Sequence, residues 1–483
     1  MTSFGYSTPH EPLKTRTTIK AMDTNNTKPV AGGDTRRDFI KKTATAAAAV
    51  AATNIFRTPV YGQSQAPSTG RVIGANDRIV VGHIGVGGQG MAHVRHMKTH
   101  TSDQNIAQAA VCDVWQKRVA SSKAFIEKDN AGAKVEGFDD YRKLLERKDI
   151  DVIVCATVDH WHTKICVDAM NGGKHVYVEK PMTRYLGEAF EIFDTVKKTG
   201  KKLQVGSQGC SDAKWHKAAE LIRAGKIGQL VLGQGSYMRN NPKGEWNYDI
   251  LPDATPDTLD WQQWLGPVKK KIPFNADHYF RWRKYYPYCA GLLGDLFPHR
   301  LHPLMLATGA PEFPTRVCSI GNKRVHTDKL TPGTPERDVP ESVQLLAEFP
   351  SGLNLMVTSA TVNQTGIQDL IRGHKGTVYF GGGSVELKPE ASFSEEVDPE
   401  TYPNLRPGED VAVHEKNWLD SIRNNKEPNA GIDLALKVQT VISLAEMSER
   451  LNIMCLFDEK SRKITTGDGK AVKPLTYGTL ELS

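Results

Sequence analysis

The stretch IVVGHIGVGGQG, from Ile79 to Gly90, decides the fold of this 483-residue chain. Its first residues are rich in β-branched side chains and predict a buried strand, which the glycines then end. The glycines have the spacing G-x-G-x-x-G, which allows a tight turn and lets a pyrophosphate approach the free N–H groups of the next helix. This spacing is a weak signal alone, but here it follows a strand and opens a helix. We predict a dinucleotide-binding turn formed by Gly85, Gly87, Gly88, Gln89 and Gly90.

The segment from Asn76 to about Val205 alternates short apolar runs with helical stretches, which is typical of βαβ units and a parallel sheet. The predicted strands are Ile79–Ile84, Ile106–Cys112, Val152–Ala156, His175–Val178 and Lys202–Val205; the predicted helices are Met91–Lys98, Gln116–Lys128, Asp140–Lys148, His162–Met170 and Leu186–Lys198. We therefore predict an α/β protein whose residues 75–205 form a Rossmann domain with a doubly wound parallel sheet.

Asp113 ends the second predicted strand, 23 residues after Gly90. A carboxylate at this position accepts hydrogen bonds from the adenosine ribose hydroxyls of a dinucleotide. A 2′-phosphate would meet a like charge there, so the sequence favours NAD over NADP. Lys117 and Arg118 lie close by and keep NADP as the alternative.

The rest of the chain shows strands that follow one another without regular helices, the pattern of an antiparallel sheet. They are Leu230–Arg239, Val343–Phe349, Leu353–Ala360 and Thr377–Phe380, followed by helices near His414–Arg423 and Asp433–Leu451. We predict that residues 206–483 form a C-terminal α+β domain with a large, mostly antiparallel open sheet and terminal helices.

Three further motifs narrow the set of families that the chain can resemble. Ala156 to His162 (ATVDHWH) closes the predicted strand Val152–Ala156, Glu179-Lys180-Pro181 closes the predicted strand His175–Val178, and Gly291 to His299 reads GLLGDLFPH. Together with the glycine turn they closely resemble the Gfo/Idh/MocA oxidoreductase family. The resemblance implies a nicotinamide cofactor across the carboxyl edge of the parallel sheet. It also implies that the open sheet forms an oligomer interface, so we expect a homo-oligomer, a dimer or tetramer.

The resemblance also implies roles for single residues. We assign Thr157, His160, His162, Glu179 and Lys180 to cofactor binding, and Lys180 to the place beside the nicotinamide and the substrate hydroxyl. A lysine at the end of a buried strand is costly unless it is used. We expect desolvation to lower the pKa of its ammonium group, which would make Lys180 a proton carrier or an anchor for the hydroxyl. Pro181 is expected to follow a cis peptide bond.

Asp295 and His299 match the Asp-x-x-x-His motif of the family. On one helix, residues i and i+4 share a face, so both side chains would reach the same hydroxyl. We assign His299 as the general base, since the ordinary histidine pKa suits that role, and Asp295 to orienting the substrate or the imidazole. Phe297 departs from the small residue common in relatives, and Pro298 limits the helix.

An aromatic and basic stretch, Tyr279 to Tyr288, directly precedes this motif. Aromatic rings pack on sugar C–H surfaces and arginine binds hydroxyls or carboxylates, which favours a pocket lining over the alternative, an oligomer interface. The predicted substrate-binding residues are Trp161, Arg281, Trp282, Arg283 and Tyr285. His160, His162 and His302 have no recognised ligand spacing with a carboxylate or cysteine, so we expect no metal site.

Composition agrees with a soluble globular enzyme, with 39% hydrophobic and 24% charged residues. The net charge of +7 is concentrated at the N-terminus: residues 1–60 hold nine Lys/Arg and four Asp/Glu, a net of +5, which leaves +2 for the rest. We expect no nucleic-acid partner, because the net charge outside residues 1–60 is only +2. The seven cysteines are scattered and contain no Cys-x-x-Cys pair, which indicates buried thiols rather than a zinc or redox site.

Residues 1–66 read as a leader and linker. Thr35 to Lys41 (TRRDFIK) is typical of a twin-arginine export signal, and the Ala-rich run Thr43–Phe56 is too short to span a membrane but suits a signal core. The alternative is a buried helix after a chance Arg-Arg pair. Export predicts a periplasmic location and the twin-arginine translocase as a partner. Because a periplasm supplies no soluble nicotinamide pool, the cofactor must be retained and regenerated in place.

The leading hypothesis is therefore an exported, NAD-dependent oxidoreductase that oxidises a secondary hydroxyl of a sugar or glycoside and recycles its cofactor internally. The alternative is a glycosidase or lyase in which NAD transiently oxidises a ring hydroxyl before elimination. A third class, a non-catalytic sugar-binding protein, is disfavoured because Lys180, Asp295 and His299 occur together.

Overall fold

The computed structural model describes residues 77–128, 134–327 and 336–480. The leader of residues 1–66, with its twin-arginine motif, lies outside the described residues, as do short segments within the chain. The described residues of both predicted domains belong to one compact unit.

The first sheet has six parallel strands in the order β3-β2-β1-β4-β5-β6. The chain order reverses between β1 and β4, which opens a crevice at the carboxyl ends of these strands, where ligands bind in such folds. The strands are β1 Ile79–Ile84, β2 Ile106–Cys112, β3 Glu136–Phe138, β4 Val152–Cys155, β5 His175–Val178 and β6 Leu203–Val205.

Five helices cover this sheet: α1 Gly88–Asp103, α2 Gln116–Glu127, α3 Tyr141–Glu146, α4 Asp159–Asn171 and α5 Leu186–Thr199. The predicted doubly wound parallel sheet is confirmed. Two helices begin three residues earlier than predicted, α1 at Gly88 and α4 at Asp159. The β3 strand was not predicted, since Glu-Gly-Phe offers no apolar run.

The glycine turn between β1 and α1 needs its glycines. Gly85 has a positive φ of 82°, and a Cβ there would lie 2.7 Å from the Thr157 nitrogen. A Cβ on Gly90 would lie 1.9 Å from the Gly85 carbonyl oxygen. A side chain at Gly85 would therefore push the turn away from the segment after β4, and one at Gly90 would push α1 away from the turn.

The second sheet has eleven strands in the order β14-β13-β12-β11-β7-β10-β9-β8-β15-β16-β17. The prediction of a mostly antiparallel sheet is confirmed; the exception is β7 with β10, which run parallel. The strands are β7 Leu230–Met238, β8 Arg316–Asn322, β9 Ser342–Glu348, β10 Asn354–Ala360, β11 Leu370–Gly373, β12 Gly376–Phe380, β13 Val385–Pro389, β14 Glu400–Tyr402, β15 Cys455–Asp458, β16 Lys463–Thr466 and β17 Ala471–Val472.

The remaining helices lie between the two sheets or connect them. They are α6 Ala213–Arg223, α7 Trp261–Leu265, α8 Ala276–Phe280, α9 Leu292–Asp295, α10 Pro298–Ala307, α11 Val411–Arg423 and α12 Ile432–Leu451, with 3₁₀ turns at Gln208–Ser211, Trp282–Lys284 and Ala391–Phe393. The long, buried α12 packs against β8, α5 and α10. Among the described helices, none combines the length and apolar character that a membrane span requires.

Helix α11 returns from the C-terminal half of the chain to the first sheet and packs on α1. Its Trp418, Leu419 and Ile422 share a buried cluster with residues of β1 and β4. Burial of such side chains stabilises the fold by about 1.5–3 kcal/mol each. The C-terminal half of the chain therefore packs directly on the first sheet.

Candidate active site

A cleft of about 760 Å³ lies at the carboxyl ends of the first sheet and is closed on its other side by β7, by α9 and α10 and by the segment that precedes them. Most of the predicted site residues line it. They are Gly85, Gly87, Gly88, Gln89, Asp113, Thr157, Trp161, Glu179, Lys180, Trp282, Arg283, Asp295 and His299.

Five predicted site residues do not line the cleft: Gly90, His160, His162, Arg281 and Tyr285. Gly90 is buried against the Gly85 carbonyl. The Arg281 side chain donates to the Tyr248 carbonyl at 2.7 Å and to Asp277 Oδ1 at 2.7 Å. The Tyr285 hydroxyl also donates to Asp277. Asp277, which the sequence did not single out, draws both side chains away from the cleft.

The nucleotide end of the cleft is built around Asp113. Its Oδ2 accepts from the Val86 backbone N–H at 3.0 Å and its Oδ1 from that of Trp115 at 3.0 Å, which fixes the carboxylate beside the glycine turn. Burial raises its pKa, and Arg118, 3.9 Å away, opposes that rise. The Cα of Gly88 faces open space. This cradle, with a carboxylate where the adenosine ribose would lie, fits a nicotinamide dinucleotide.

His160 and His162 lie behind the cleft wall. His160 Nε2 donates to the Trp264 carbonyl at 2.9 Å, and His162 Nδ1 donates to the Pro181 carbonyl at 2.8 Å. Burial lowers the pKa of His160 to about 3 and that of His162 to about 4, so both rings are neutral. They were predicted to bind the cofactor; in the structure they attach α4 to α7 and to the loop after β5. The Lys180–Pro181 bond in that loop is cis, as predicted.

Lys180 and Asp295 form the centre of the cleft. Lys180 Nζ donates to Asp295 Oδ1 at 2.6 Å and to its carbonyl oxygen at 3.0 Å. Arg283 Nε donates to the same Oδ1 at 3.1 Å, and Trp246 Nε1 donates to Oδ2 at 3.0 Å. Burial acts to raise the pKa of the Asp295 carboxyl, but the charges of Lys180 and Arg283 outweigh it and hold that pKa well below its ordinary range. Asp295 is therefore a fixed anion that holds the lysine.

His299 does not share a helix with Asp295, which corrects the sequence-based expectation. Helix α9 ends at Asp295 and α10 begins at Pro298, because proline has no N–H to continue a helix but suits the first helical position. The imidazole stacks on Tyr237, with centroids 4.5 Å apart and planes at 15°. Burial and the charge of Lys180 lower the pKa of His299 to about 3, so the ring is neutral.

Two buried titratable residues at the site, Asp159 and His93, were not among the residues predicted from the sequence. Asp159 begins α4, lines the cleft and is buried, and burial raises the pKa of its carboxyl to about 7. His93 lies on the buried face of α1, three residues after Gly90, and its ring nitrogens contact Glu415 Oε1 at 2.6 Å and Glu179 Oε1 at 2.8 Å. The position of His93, one helical turn after the glycines, is the sequence feature that could have marked it as a site residue.

His93 is a buried cation between two carboxylates. Burial acts to lower its pKa, but the hydrogen bonds and charges of Glu179 and Glu415 raise it to about 10. The same contact lowers the pKa of Glu179 to about 2, against the effect of burial. Glu179 Oε1 also accepts from Gln89 Nε2 at 3.2 Å, and its Oε2 accepts from the Lys180 backbone N–H at 3.1 Å. The group thus connects the glycine turn, Lys180 and α11.

Comparison with known proteins identifies the chain. Residues 79–207 match the family model described as an oxidoreductase family with an NAD-binding Rossmann fold, and residues 239–475 match the model of its C-terminal alpha/beta domain. The chain belongs to the Gfo/Idh/MocA oxidoreductase family. The family resemblance seen in the sequence and the prediction of NAD as cofactor are confirmed. The glycine turn and Asp113 lie within the matched Rossmann segment.

Curated relatives include a glycosyl hydrolase family 109 protein from Shewanella baltica, 30% identical over 213 residues, which are 42% of this chain and 46% of the relative. An alpha-N-acetylgalactosaminidase from Shewanella oneidensis is 29% identical over 263 residues, 51% of this chain and 56% of the relative. The chain thus matches about half the length of these relatives.

Solved structures share the fold at lower identity. An oxidoreductase domain protein from Kribbella flavida is 19% identical with a TM-score of 0.61, covering 79% of this chain and 100% of that one. Levoglucosan dehydrogenase in complex with NADH is 17% identical with a TM-score of 0.58, covering 78% of this chain and 98% of that one. The aldose-aldose oxidoreductase from Caulobacter crescentus is 17% identical with a TM-score of 0.58, covering 79% and 100%.

Proposed function

We propose that this protein is an NAD-dependent oxidoreductase that oxidises a secondary hydroxyl of a sugar or glycoside. The observation that carries the proposal is the contact between Lys180 and Asp295 in the same cleft as the dinucleotide cradle, with His299 beside them. Family membership and sugar-directed enzymes among the fold relatives support it.

In the proposed mechanism, bound NAD supplies the carbon that accepts hydrogen with its electron pair. Lys180 binds the hydroxyl oxygen, since Asp295 accepts two of the three hydrogen bonds of its ammonium group and leaves the third for a ligand. Asp295 holds the lysine in place. His299, neutral and stacked on Tyr237, accepts the hydroxyl proton. The buried setting of these groups excludes water and strengthens each interaction.

The first test is turnover with the variants His299→Asn and Lys180→Met, after a substrate has been found by screening sugars and glycosides. We expect each variant to lower kcat about 10²–10⁴-fold while still binding NAD, because His299→Asn removes the proton acceptor and Lys180→Met removes the group that binds the hydroxyl oxygen. Arg281→Lys is the control, because Arg281 lies outside the cleft. Full turnover by His299→Asn would remove His299 from the mechanism.

A second candidate, a glycosidase that uses NAD only transiently, is favoured by the names of the curated relatives. Oxidation of a ring hydroxyl acidifies the neighbouring C–H, and the aglycone then leaves by elimination. The two candidates differ in net redox change. Release of a phenol from an aryl glycoside with no external acceptor would support the glycosidase; accumulation of reduced nicotinamide or of a reduced second sugar would support the oxidoreductase.

We further propose export by the twin-arginine route and a periplasmic location with retained cofactor. The support is the order of charged flank, Arg36-Arg37 and apolar core in residues 35–56. Fractionation of cells that produce the full chain tests it. The wild type should be found in the periplasm and the variant carrying Arg36→Lys and Arg37→Lys in the cytoplasm; equal distribution would contradict export.

We also propose a homo-oligomer formed through the outer face of the second sheet. Ile320, Leu346 and Met356 are 72%, 43% and 37% exposed, and Leu346 lies opposite Met356 in register. Ile320 pairs with Gln344, two residues along β9, so all three share one face. Exposed apolar residues in such a row are typical of an interface. Sedimentation should show a dimer or tetramer that Leu346→Asp weakens; a monomeric wild type would contradict the proposal.

A further inference from the structure

The imidazole of His299 has one nitrogen that the site does not use. His299 is only 8% exposed, and within the described residues its buried Nδ1 has no hydrogen-bond partner. A buried polar atom without a partner costs about 1–3 kcal/mol. Asp295, which the sequence suggested as the orienting residue, uses its carboxylate for Lys180, Arg283 and Trp246. The partner of Nδ1 must come from elsewhere.

Glu409 supplies a carboxylate on that side of the ring. Its Oε1 lies 3.9 Å from His299 Nδ1, about 1 Å beyond a normal hydrogen bond. Glu409 precedes Asp410, whose side chain caps α11 by accepting from the Val413 N–H. The loop is also held by the Pro407 carbonyl, which accepts from the Ala213 N–H. The backbone is thus anchored, while the 38% exposed side chain has room to turn towards the ring.

We propose that Glu409 is the positioning residue of His299: its carboxylate accepts a hydrogen bond from Nδ1–H and leaves Nε2 as the nitrogen that meets the substrate. This inference rests on the proposed function for the role of His299, but the contact itself does not. Glu409 exchanges no proton in this scheme; the substrate proton goes to Nε2. Stacking on Tyr237 fixes the plane of the ring, so the carboxylate needs only to fix its tautomer and rotation.

The charges around the pair are compatible with it. Lys180, Asp295, Glu179 and Arg239 face His299, and Arg300, Asp212 and Lys214 face Glu409. Burial raises the pKa of Glu409, and Arg300 and Lys214 oppose that rise. Arg300 is itself held by Asp369, 3.2 Å away, and by the Ser236 carbonyl, so it does not replace His299 as a partner of Glu409.

A hydrogen bond from His299 to Glu409 would also make His299 a stronger base. With its present surroundings His299 has a pKa of about 3, which is low for a proton acceptor. A carboxylate in hydrogen-bond contact stabilises the imidazolium and raises that pKa. A carboxylate that orients a histidine through its other ring nitrogen is worth about 10–100-fold in affinity or activity.

The test uses the full chain loaded with NAD and two variants, Glu409→Gln, which removes the charge, and Glu409→Ala, which removes the hydrogen bond. Glu396→Gln is the matched control, since Glu396 is exposed and pairs with Lys375. The first readout is the tautomer and pKa of His299, measured by NMR of protein with ¹⁵N-labelled histidine and assigned with His299→Gln. We expect Nδ1–H in the wild type, mixed tautomers in Glu409→Ala, and a His299 pKa lower by about one unit in both variants.

The second readout is turnover. We expect kcat to fall about 10–100-fold with little change in KM, and the acidic limb of the kcat–pH profile to move to lower pH. An unchanged tautomer and pKa in both variants overturns the proposal, whether or not the protein turns over any sugar. Loss of the proposed function alone would instead appear as an inactive wild type with an intact NMR signature. Thermal unfolding of each variant, with Glu409→Asp as a second replacement, separates misfolding from either result.

Discussion

At the scale of single residues, the cleft assigns different duties to neighbouring side chains that look alike in the sequence. Arg281 and Arg283 are two residues apart, yet Asp277 and the Tyr248 carbonyl hold the first, and Asp295 holds the second at the cleft. The sequence predicted both as substrate ligands because residue type and position near Asp295 were the only signals. Which arginine reaches the cleft depends on Asp277, and no pattern marks that residue.

We expect substitutions of the two arginines to have different effects on KM. Arg283→Ala removes a cation from the cleft and one of the partners of Asp295, so we expect KM to rise at least about tenfold, the equivalent of one lost charged hydrogen bond. Arg281→Ala should leave KM within about twofold of the wild type, because its side chain makes its contacts outside the cleft. Steady-state kinetics on the two variants checks this; equal effects would show that the cleft extends to Arg281.

At the scale of elements, five of the six parallel strands in the described sheet were predictable because they are short apolar runs that alternate with helical stretches, whereas β3 has no such run. The motifs at the carboxyl ends of these strands therefore lie close together, as expected. The break between α9 and α10 and the early start of α4 were not predicted, since the first depends on Pro298 and the second places Asp159 in the first helical turn. The contact of α11 with α1 joins distant parts of the chain, and no local pattern reports it.

The buried group at that contact gives a stability prediction. His93→Gln leaves Glu179 and Glu415 without their shared cation, so we expect the free energy of unfolding to fall by about 3–5 kcal/mol. NAD affinity should fall as well, since Glu179 contacts Gln89 of the glycine turn. His96→Gln, one turn further along α1 and partly exposed, is the matched control. Urea unfolding measures both; equal stability of the two variants would show that His93 carries no net stabilising charge.

At the scale of the whole molecule, stability should depend on pH mainly through buried neutral histidines. Burial lowers the pKa from 6.5 to about 3 or 4 in His83, His160, His162, His175, His299, His302 and His414. Between these values and pH 6.5 the unfolded chain binds more protons than the folded chain, so stability falls as the pH falls.

The pKa shift of His93 changes stability with pH in the opposite direction. Its folded pKa of about 10 lies above 6.5, so its contribution is complete below pH 6.5 and is lost as the pH rises towards 10. We therefore expect the unfolding temperature to be highest near neutral pH and to decrease steeply from pH 6.5 to 4. Calorimetry across this range checks the expectation, and a flat profile down to pH 4 would contradict the neutral, buried state of these rings.

The two-sheet architecture, the cofactor edge and the Lys180–Asp295–His299 set could all be predicted from the sequence, because each is marked by a local motif at a strand or helix end. The residues that set the pKa values and orientations of this set could not be predicted from the sequence. Trp246, Tyr237, His93 and Glu409 come from segments far apart in the chain, and only the packed fold brings them to the site. Their effect on pKa and orientation is therefore a property of the tertiary structure.

The most direct test of the central claim is the absorbance of the purified full-length protein while sugars and glycosides are added and no cofactor is supplied. We expect a substrate to produce the band of reduced nicotinamide in the wild type and not in His299→Asn, because in the proposed function the protein retains its own NAD. A preparation that carries no nucleotide and takes up no NAD at any concentration would contradict it.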